Sequence, residues 1–391
     1  MSQDQLAELS RLLYSPVTIT LYLTSAFVYL YALTTTVGRA DEQRRGRRAQ
    51  ALGGALAVLG VTTHVAHEIV RGLAQTRLPL GNMFEVTSLM ALVGVVVGLV
   101  YLQYVRRQPQ LNGFVMLGGS LVLGMAALLY ADPGPLMPIL DTWWRPFHVS
   151  LLVGAMGIFA AAFVFTGLYL LRDTAERAVA AARSSTSYGS TVGAAYVGDL
   201  EVDGGSGGDG RDDDEVERAQ LAEYHAALRA GVPVLKLAIG TFLVTGSVSW
   251  VWWFADGWGT AGLTRFLTVN LVMVAAALLA RWFVPFLPST ATLDGLAHRT
   301  VAFGFIMWTV GTIAGAMWAE VSWGRFWGWD PKETGAFLTW LAYAGYLHAR
   351  ATRGVQGRRA AWIGITAFVV LMATYLVANF VVVGLHSYAE L

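Results

Sequence analysis

The chain has 391 residues, 55% of them hydrophobic and only 14% charged, and its mean hydropathy is +0.52. Soluble domains carry roughly 25% charged residues, so an ordinary soluble globule is excluded, and a net charge of +1 from 25 Arg and 2 Lys against 26 acids offers no basic surface for nucleic acid. There is no Cys, which excludes disulfides, thiolate nucleophiles, iron–sulfur clusters and thiolate metal sites in this chain.

Residues 1–15 are polar and lack the apolar core and small-residue site of a secretory signal. A helix crossing the hydrocarbon layer needs ~20 apolar residues. Ten stretches are candidates, at about 16–37, 49–70, 83–105, 112–131, 147–171, 232–254, 264–287, 300–319, 334–349 and 360–385. The first begins at Pro16 and meets no charge before Arg39. The seventh is weaker, with Arg265 and Arg281 near its ends, where they can snorkel to the interface. The ninth is short and starts inside a polar motif.

The expected fold is therefore all-α, a polytopic integral membrane bundle of about ten spans. It divides into an N-terminal bundle (1–171, spans 1–5), an insert (172–231), an additional span pair (232–287) and a C-terminal region (288–391, spans 8–10). The insert reads GDLEVDGGSGGDGRDDDEVE in its middle. Such a composition buries too little apolar surface to offset chain entropy, so disorder is expected there, with helix near 215–230. Loops after spans 1, 3, 7 and 9 carry 13 Arg, whereas the opposite side with the N-terminal tail carries 7 Arg and Lys. The Arg-rich set is expected to be cytoplasmic and both termini outside.

On this topology ten of the fourteen Trp fall at the outer side: Trp143, Trp144, Trp250, Trp252, Trp253, Trp258, Trp318, Trp323, Trp327 and Trp329. Ordinary aromatic belts decorate both interfaces, so a one-sided cluster reads either as a built aromatic surface or as heavy anchoring on one side. The loop between spans 8 and 9 sharpens the choice. It runs Trp323-Gly324-Arg325-Phe326-Trp327-Gly328-Trp329-Asp330-Pro331-Lys332-Glu333-Thr334. Glycine permits turns that set rings side by side. Asp330 can cap the next helix, with Pro331 at its first position and Glu333 in its first turn. The expectation is a flat aromatic shelf at the mouth of span 9, suited to a flat apolar ligand whose carboxylates Arg325 or Lys332 could meet.

Of the seven His, His148 opens span 5 and His386 closes span 10, both at the outer level of the Trp loop. His348 lies toward the cytoplasmic end of span 9, His298 in the loop before span 8, and His225 in the insert. A lone membrane His is more often packed than ligating, although ionisable groups at span depth raise the functional prior. Two neutral imidazoles across a flat macrocycle make a bis-His haem site, the cofactor chemistry that His148 and His386 best support. His64 and His67 share a helix face beside Glu68, but two ligands are too few for a metal. They read as polar packing or an outer vestibule.

The segment WGRFWGWDPKETGAFLTWLAYAGYLHAR (323–350) resembles the tryptophan-rich "WWD" motif of the CcsA/ResC family, some members of which are labelled CcsB. These are membrane subunits of the System II cytochrome c synthase. The likeness runs from about Asp294 to Glu390, including the ending GLHSYAE, and two further blocks, LPLGNMFEVTSLM (78–90) and LMPILDTWWRPFHVSLLVG (136–154), are similar to family segments. The resemblance implies that His148 and His386 are the two external ligands of haem iron. It implies that Trp323, Trp327, Trp329 and Asp330 position that haem. It also implies that His348 is a transmembrane haem ligand whose partner histidine belongs to a ResB-like subunit. Phe326 stands where the family commonly has Tyr, and residues 172–287 do not match the compact family pattern.

The implied function is delivery of haem b across a bacterial cytoplasmic membrane. There it would be held for thioether attachment to the Cys-x-x-Cys-His segment of apocytochrome c, making the chain a haem lyase subunit. Rival readings are a haem chaperone or exporter without synthase activity, a secondary transporter (no repeat between the halves supports it) and a respiratory scaffold.

Overall fold

In lipid, every backbone N–H and C=O must be satisfied within its own segment. The computed structural model, which describes residues 1–35, 40–134, 142–186 and 210–382, does this with helices alone, and no strand occurs among the described residues. In chain order they are α1 (Gln3–Leu12), α2 (Ile19–Thr34), α3 (Ala40–Gln75), α4 (Met83–Val100), α5 (Asn112–Ala127), α6 (Trp144–Thr186), α7 (Gly210–Ala230), α8 (Val234–Ser249), α9 (Val251–Ala255), α10 (Thr260–Trp282), α11 (Thr290–Trp323), α12 (Pro331–Arg353) and α13 (Gly357–Phe380).

Nine helical stretches among the described residues are long and apolar enough to cross a membrane, against ten expected. The difference is α12. Its 23 residues are long enough at ~1.5 Å each, but Lys332, Glu333, His348, Arg350 and Arg353 lower its apolarity. The N-terminal stretch taken for a polar tail is the amphipathic α1, capped by Ser2 and followed by a π-turn into α2.

α6 is the centre of the bundle, packed against α4, α5, α11 and α13. α2 lies with α3 and α5 on one flank, and α12 packs between α11 and α13 on the other. Phe159 of α6 stacks on Tyr343 of α12 at 3.8 Å and 6°. Phe163 stacks on Phe368 of α13 at 4.4 Å. The α8–α10 pair is joined by Asn270, whose Nδ2 donates to Ser249 Oγ at 2.7 Å, the interhelical polar contact that lipid favours. An apolar cavity of about 480 Å³ separates this pair from the core, walled by residues such as Met90, Val122, Trp252, Phe368 and Met372. Trp252, from the second Trp-rich loop, is buried against Phe380 at 5.1 Å.

The described ends of the insert are helical. α6 has 43 residues, ~65 Å of helix, about twice the ~30 Å hydrocarbon thickness. α7 then docks by its second half. Leu228 is wholly buried, Arg229 lies 4.2 Å over Trp282, and Arg281 donates to Val232 O at 2.7 Å and Arg229 O at 2.6 Å. Arg281 is thus spent on the chain rather than on the interface. The helix near 215–230 matches expectation; residues 187–209 lie outside the described residues.

Candidate functional site

The site is built where α6 begins and α11 ends. His148 sits one turn into α6, partly buried against α11. Its Nδ1 lies 2.8 Å from Gly311 O. A carbonyl can only accept, so Nδ1 carries a proton, and in the neutral ring Nε2 then carries the lone pair. This is the arrangement metal-ligating histidines adopt, one ring nitrogen donating to a carbonyl and the other facing the metal. Gly315 makes the notch for the ring, and Gly311, one turn earlier, lets α6 approach closely at Leu152. A Cβ on Gly315 would fall 2.7 Å from His148 Nδ1, and one on Gly311 would fall 2.7 Å from Leu152.

Two indoles continue from the imidazole. Trp318 is 5.9 Å from His148 at 40°, and Trp323 is 5.7 Å from Trp318 at 47°. Trp318 is a site residue that sequence reasoning counted among the outer Trp but did not place beside His148. Its position five residues before Trp323, on the helix that faces span 5, was the available signal.

The Trp loop then leaves α11. Gly324 caps that helix in the left-handed region at φ +68. Trp329 is also left-handed, at φ +56, a conformation uncommon for a bulky residue. Glu333 secures it. Its Oε2 accepts Gly328 N at 2.7 Å and Asp330 N at 3.2 Å, while Arg325 Nη1 approaches to 3.8 Å. Asp330 is buried as the N-cap of α12, accepting Lys332 N at 3.1 Å, with Pro331 at the first position and a full capping box to Glu333. The capping predicted from sequence is present.

The flat shelf is not. Trp327 and Trp329 meet edge to face at 5.8 Å and 88°, and Trp329 meets Phe337 at 89°. The turn that admits Trp329's positive φ rotates successive side chains apart, and edge-to-face packing is what aromatic quadrupoles prefer. Trp323 therefore groups with His148 and Trp318, whereas Trp327 and the exposed Trp329 form a second aromatic group beside α12.

His348 stands 17 residues beyond Pro331, ~26 Å along α12, so it does not join this group. It is exposed, and its ring has no hydrogen-bond partner among the described residues. His386 lies outside the described residues, as does the whole ending GLHSYAE. His64 and His67 are wholly buried. Tyr22 OH is 3.0 Å from His64 Nδ1, His64 Nε2 is 3.0 Å from Ser88 Oγ, and Ser88 donates to Glu68 Oε1 at 2.6 Å. His67 Nδ1 donates to Ser10 O at 2.8 Å. This is the polar packing expected of the pair. No group of three or more His, Asp or Glu among the described residues could hold a metal ion.

The comparisons with known proteins agree with one another. The family model described as "Cytochrome C assembly protein" matches residues 80–386. The chain is 30% identical to the "Cytochrome c biogenesis protein CcsA" of Gloeobacter violaceus over 399 aligned residues, covering 100% of this chain and 99% of that protein. It is 32% identical to the protein of the same name from Rippkaea orientalis, covering 86% of each. A shorter stretch of 100 residues is 53% identical to the CcsA of Guillardia theta, covering 26% of this chain and 33% of that one. Residues 172–287, which sequence reading left unmatched, fall inside both the family match and the full-length relative.

Proposed function

Since the chain belongs to the cytochrome c assembly protein family and its role is in cytochrome c maturation, we propose that it is the membrane subunit of a System II cytochrome c synthase. Haem b is its substrate. The protein brings haem to the outer face of a bacterial cytoplasmic membrane and holds it for attachment to the Cys-x-x-Cys-His segment of an apocytochrome c. The observation that carries this reading is the setting of His148, whose Nδ1–H is given to Gly311 O and whose ring continues into Trp318 and Trp323; Nε2 would be the atom offered to iron. His386 supplies the second imidazole. Trp323, Trp327, Trp329 and the Asp330 cap position the ring.

The chemistry asks no nucleophile of this chain, consistent with its lack of Cys. Each substrate thiol adds across a haem vinyl group: sulfur bonds to one carbon, the thiol proton ends on the other, and no electron is exchanged with an outside donor. The protein contributes position. Effective molarities for oriented reactants reach on the order of 10⁵ M or more. Delivery involves His348, whose ring turns out of the bundle and would meet a ligand from a ResB-like subunit.

The test is the haem spectrum of the chain purified with that partner. A bis-His signature is expected, and His148→Ala or His386→Ala should abolish it together with cytochrome c maturation. Retention of full haem and full maturation by either variant would refute the assignment. Co-expression in a host without its own maturation system separates synthase from exporter: holocytochrome c is expected, and haem at the outer face without it would mean export alone.

A further inference from the structure

The segment LPLGNMFE runs from the loop after α3 into α4. It ends in Glu85, whose side chain is wholly buried and receives an unusual set of donors. Arg71 Nε and Arg77 Nη1 each lie 2.9 Å from its oxygens, Gly81 N donates at 2.7 Å, and Asn82 Nδ2 donates at 3.2 Å. Asn82 in turn caps α4 by accepting Glu85 N at 2.9 Å.

The two arginines do not stop at Glu85. Arg71 Nη2 donates to Ala131 O at 2.7 Å, and Arg77 Nε donates to Gly134 O at 3.1 Å. They therefore grip the backbone at 131–134, the segment that leads from α5 toward α6. The guanidinium of Arg71, 1% exposed, lies 4.7 Å over Phe84 and 5.8 Å from the Tyr130 ring. From the other direction, Arg145 of α6 donates through Nη1 to Leu80 O at 3.2 Å. Arg145 is 6% exposed and lies three residues before His148, on the same helical turn. One carboxylate thus ties together the end of α3, the start of α4, the chain entering α6 and, through the Leu80 loop, the turn that carries His148.

Such a network is a poor device for stability alone. Burying ions costs about as much as their attraction returns, and apolar replacements of equal volume are often as stable. What charge-assisted bonds supply is direction, because each fixes distance and angle at both ends. His148 needs direction: its Nδ1 must meet one carbonyl of α11 while Nε2 faces the substrate.

We propose that Glu85 is a positioning residue for the haem-attachment site: with Arg71, Arg77 and Arg145 it sets the height and rotation at which α6 presents His148. This rests on the reading of His148 as an iron ligand and adds to it. Glu85 touches neither haem nor cytochrome and acts only through the α6 start.

The test uses the full chain co-purified with its ResB-like partner and bound haem, comparing Glu85→Gln, Glu85→Asp, Arg145→Met and His148→Ala with the unaltered chain. Electron paramagnetic resonance of the ferric haem reads axial geometry, and holocytochrome c yield reads function. At equal haem content, Glu85→Gln and Arg145→Met are expected to convert much of the bis-imidazole low-spin signal to high spin. Yield should fall by up to about 10²-fold, the cost of ångström-scale misplacement. Added imidazole should restore the low-spin signal without restoring yield, and Glu85→Asp should lie between. A packing control, Phe159→Leu, should lower the amount of folded protein without changing the signal per haem. If Glu85→Gln does not fold, Arg145→Met carries the test alone, since it leaves the Glu85 cluster intact. Low-spin signal and yield unchanged in Arg145→Met would overturn the proposal. An unchanged signal in His148→Ala would instead overturn the ligand reading beneath it.

Discussion

His148 and His348 occupy opposite ends of one bundle, and their surroundings differ in kind. His148 lies between two helices of the same chain, with its tautomer set by Gly311 O, its ring seated on Gly315 and an indole beside it. His348 has none of this. Tyr346 and Arg350, four apart on α12, both face α11: Tyr346 lies 6.0 Å from the His298 ring, and Arg350 makes a two-pronged ion pair with Asp294 at 2.8 and 2.7 Å. His348 falls midway between them in sequence, ~200° around the helix from Tyr346 at 100° per residue. It therefore looks away from the bundle. On the proposed reading, one station is a pocket wall that this chain builds itself, and the other would be half of a site completed from outside. An outward imidazole near a membrane span favours a role over mere packing, and this exposure supports the proposed partner at that end.

The sharpest way to break the contrast is to fill the notch. Gly315→Val places methyl groups where the His148 ring stands. Overpacking of this kind costs typically ~1–3 kcal/mol, and the ring must leave Gly311 O. Haem bound at the outer site should fall to near background, and holocytochrome c with it, while circular dichroism still reports a helical protein. Normal haem content in Gly315→Val would mean that the notch does not hold the ligand.

His348→Gly should act differently. With an exposed ring and no hydrogen bond to lose, stability should fall only by the helix cost of Gly, up to about 1 kcal/mol, whereas haem reaching the outer site should drop several-fold. Added imidazole, occupying the vacated space, should restore part of it. Unchanged haem content would remove His348 from the delivery path and leave the two stations unrelated.

The smallest effect concerns what holds α12 between them. Trp340 Nε1 donates to Thr309 Oγ1 at 3.0 Å, and Trp308 Nε1 donates to Ala336 O at 3.1 Å. Trp340→Phe keeps the ring contact and removes one such bond. A loss of ~1 kcal/mol is expected in detergent unfolding, with little change in haem at either station. A large loss of haem would show that the two ends are coupled through the register of α12.

How much of this was legible beforehand follows from the range of the interactions. The start of α12 could be read outright, because Asp330, Pro331 and Glu333 act within one turn. The helix near 215–230 was visible from sequence; its docking was not, since the ring that Arg229 covers, Trp282, lies more than fifty residues away. The Trp loop was recognised as aromatic, but its shape was misjudged. Ring planes depend on backbone angles such as Trp329's positive φ and on packing against Phe337, neither of which composition encodes. Glu85 appeared only as a letter in a family-like segment, because its significance lies in where Arg71, Arg77, Gly81 and Asn82 converge.

Hydropathy, charge placement and the histidine and tryptophan positions were thus enough to establish a multi-span helical protein and, through its motifs, its family. These depend on the solvent each residue prefers and on neighbours a few positions away, which a linear chain specifies directly. Which nitrogen of His148 faces a carbonyl, which glycine makes room for the ring, and which way His348 looks depend on helices far apart in sequence meeting at ångström distances. Only packing decides those, because hydrogen bonds and close contacts are lost within an ångström or two, a scale at which spacing along the chain is silent.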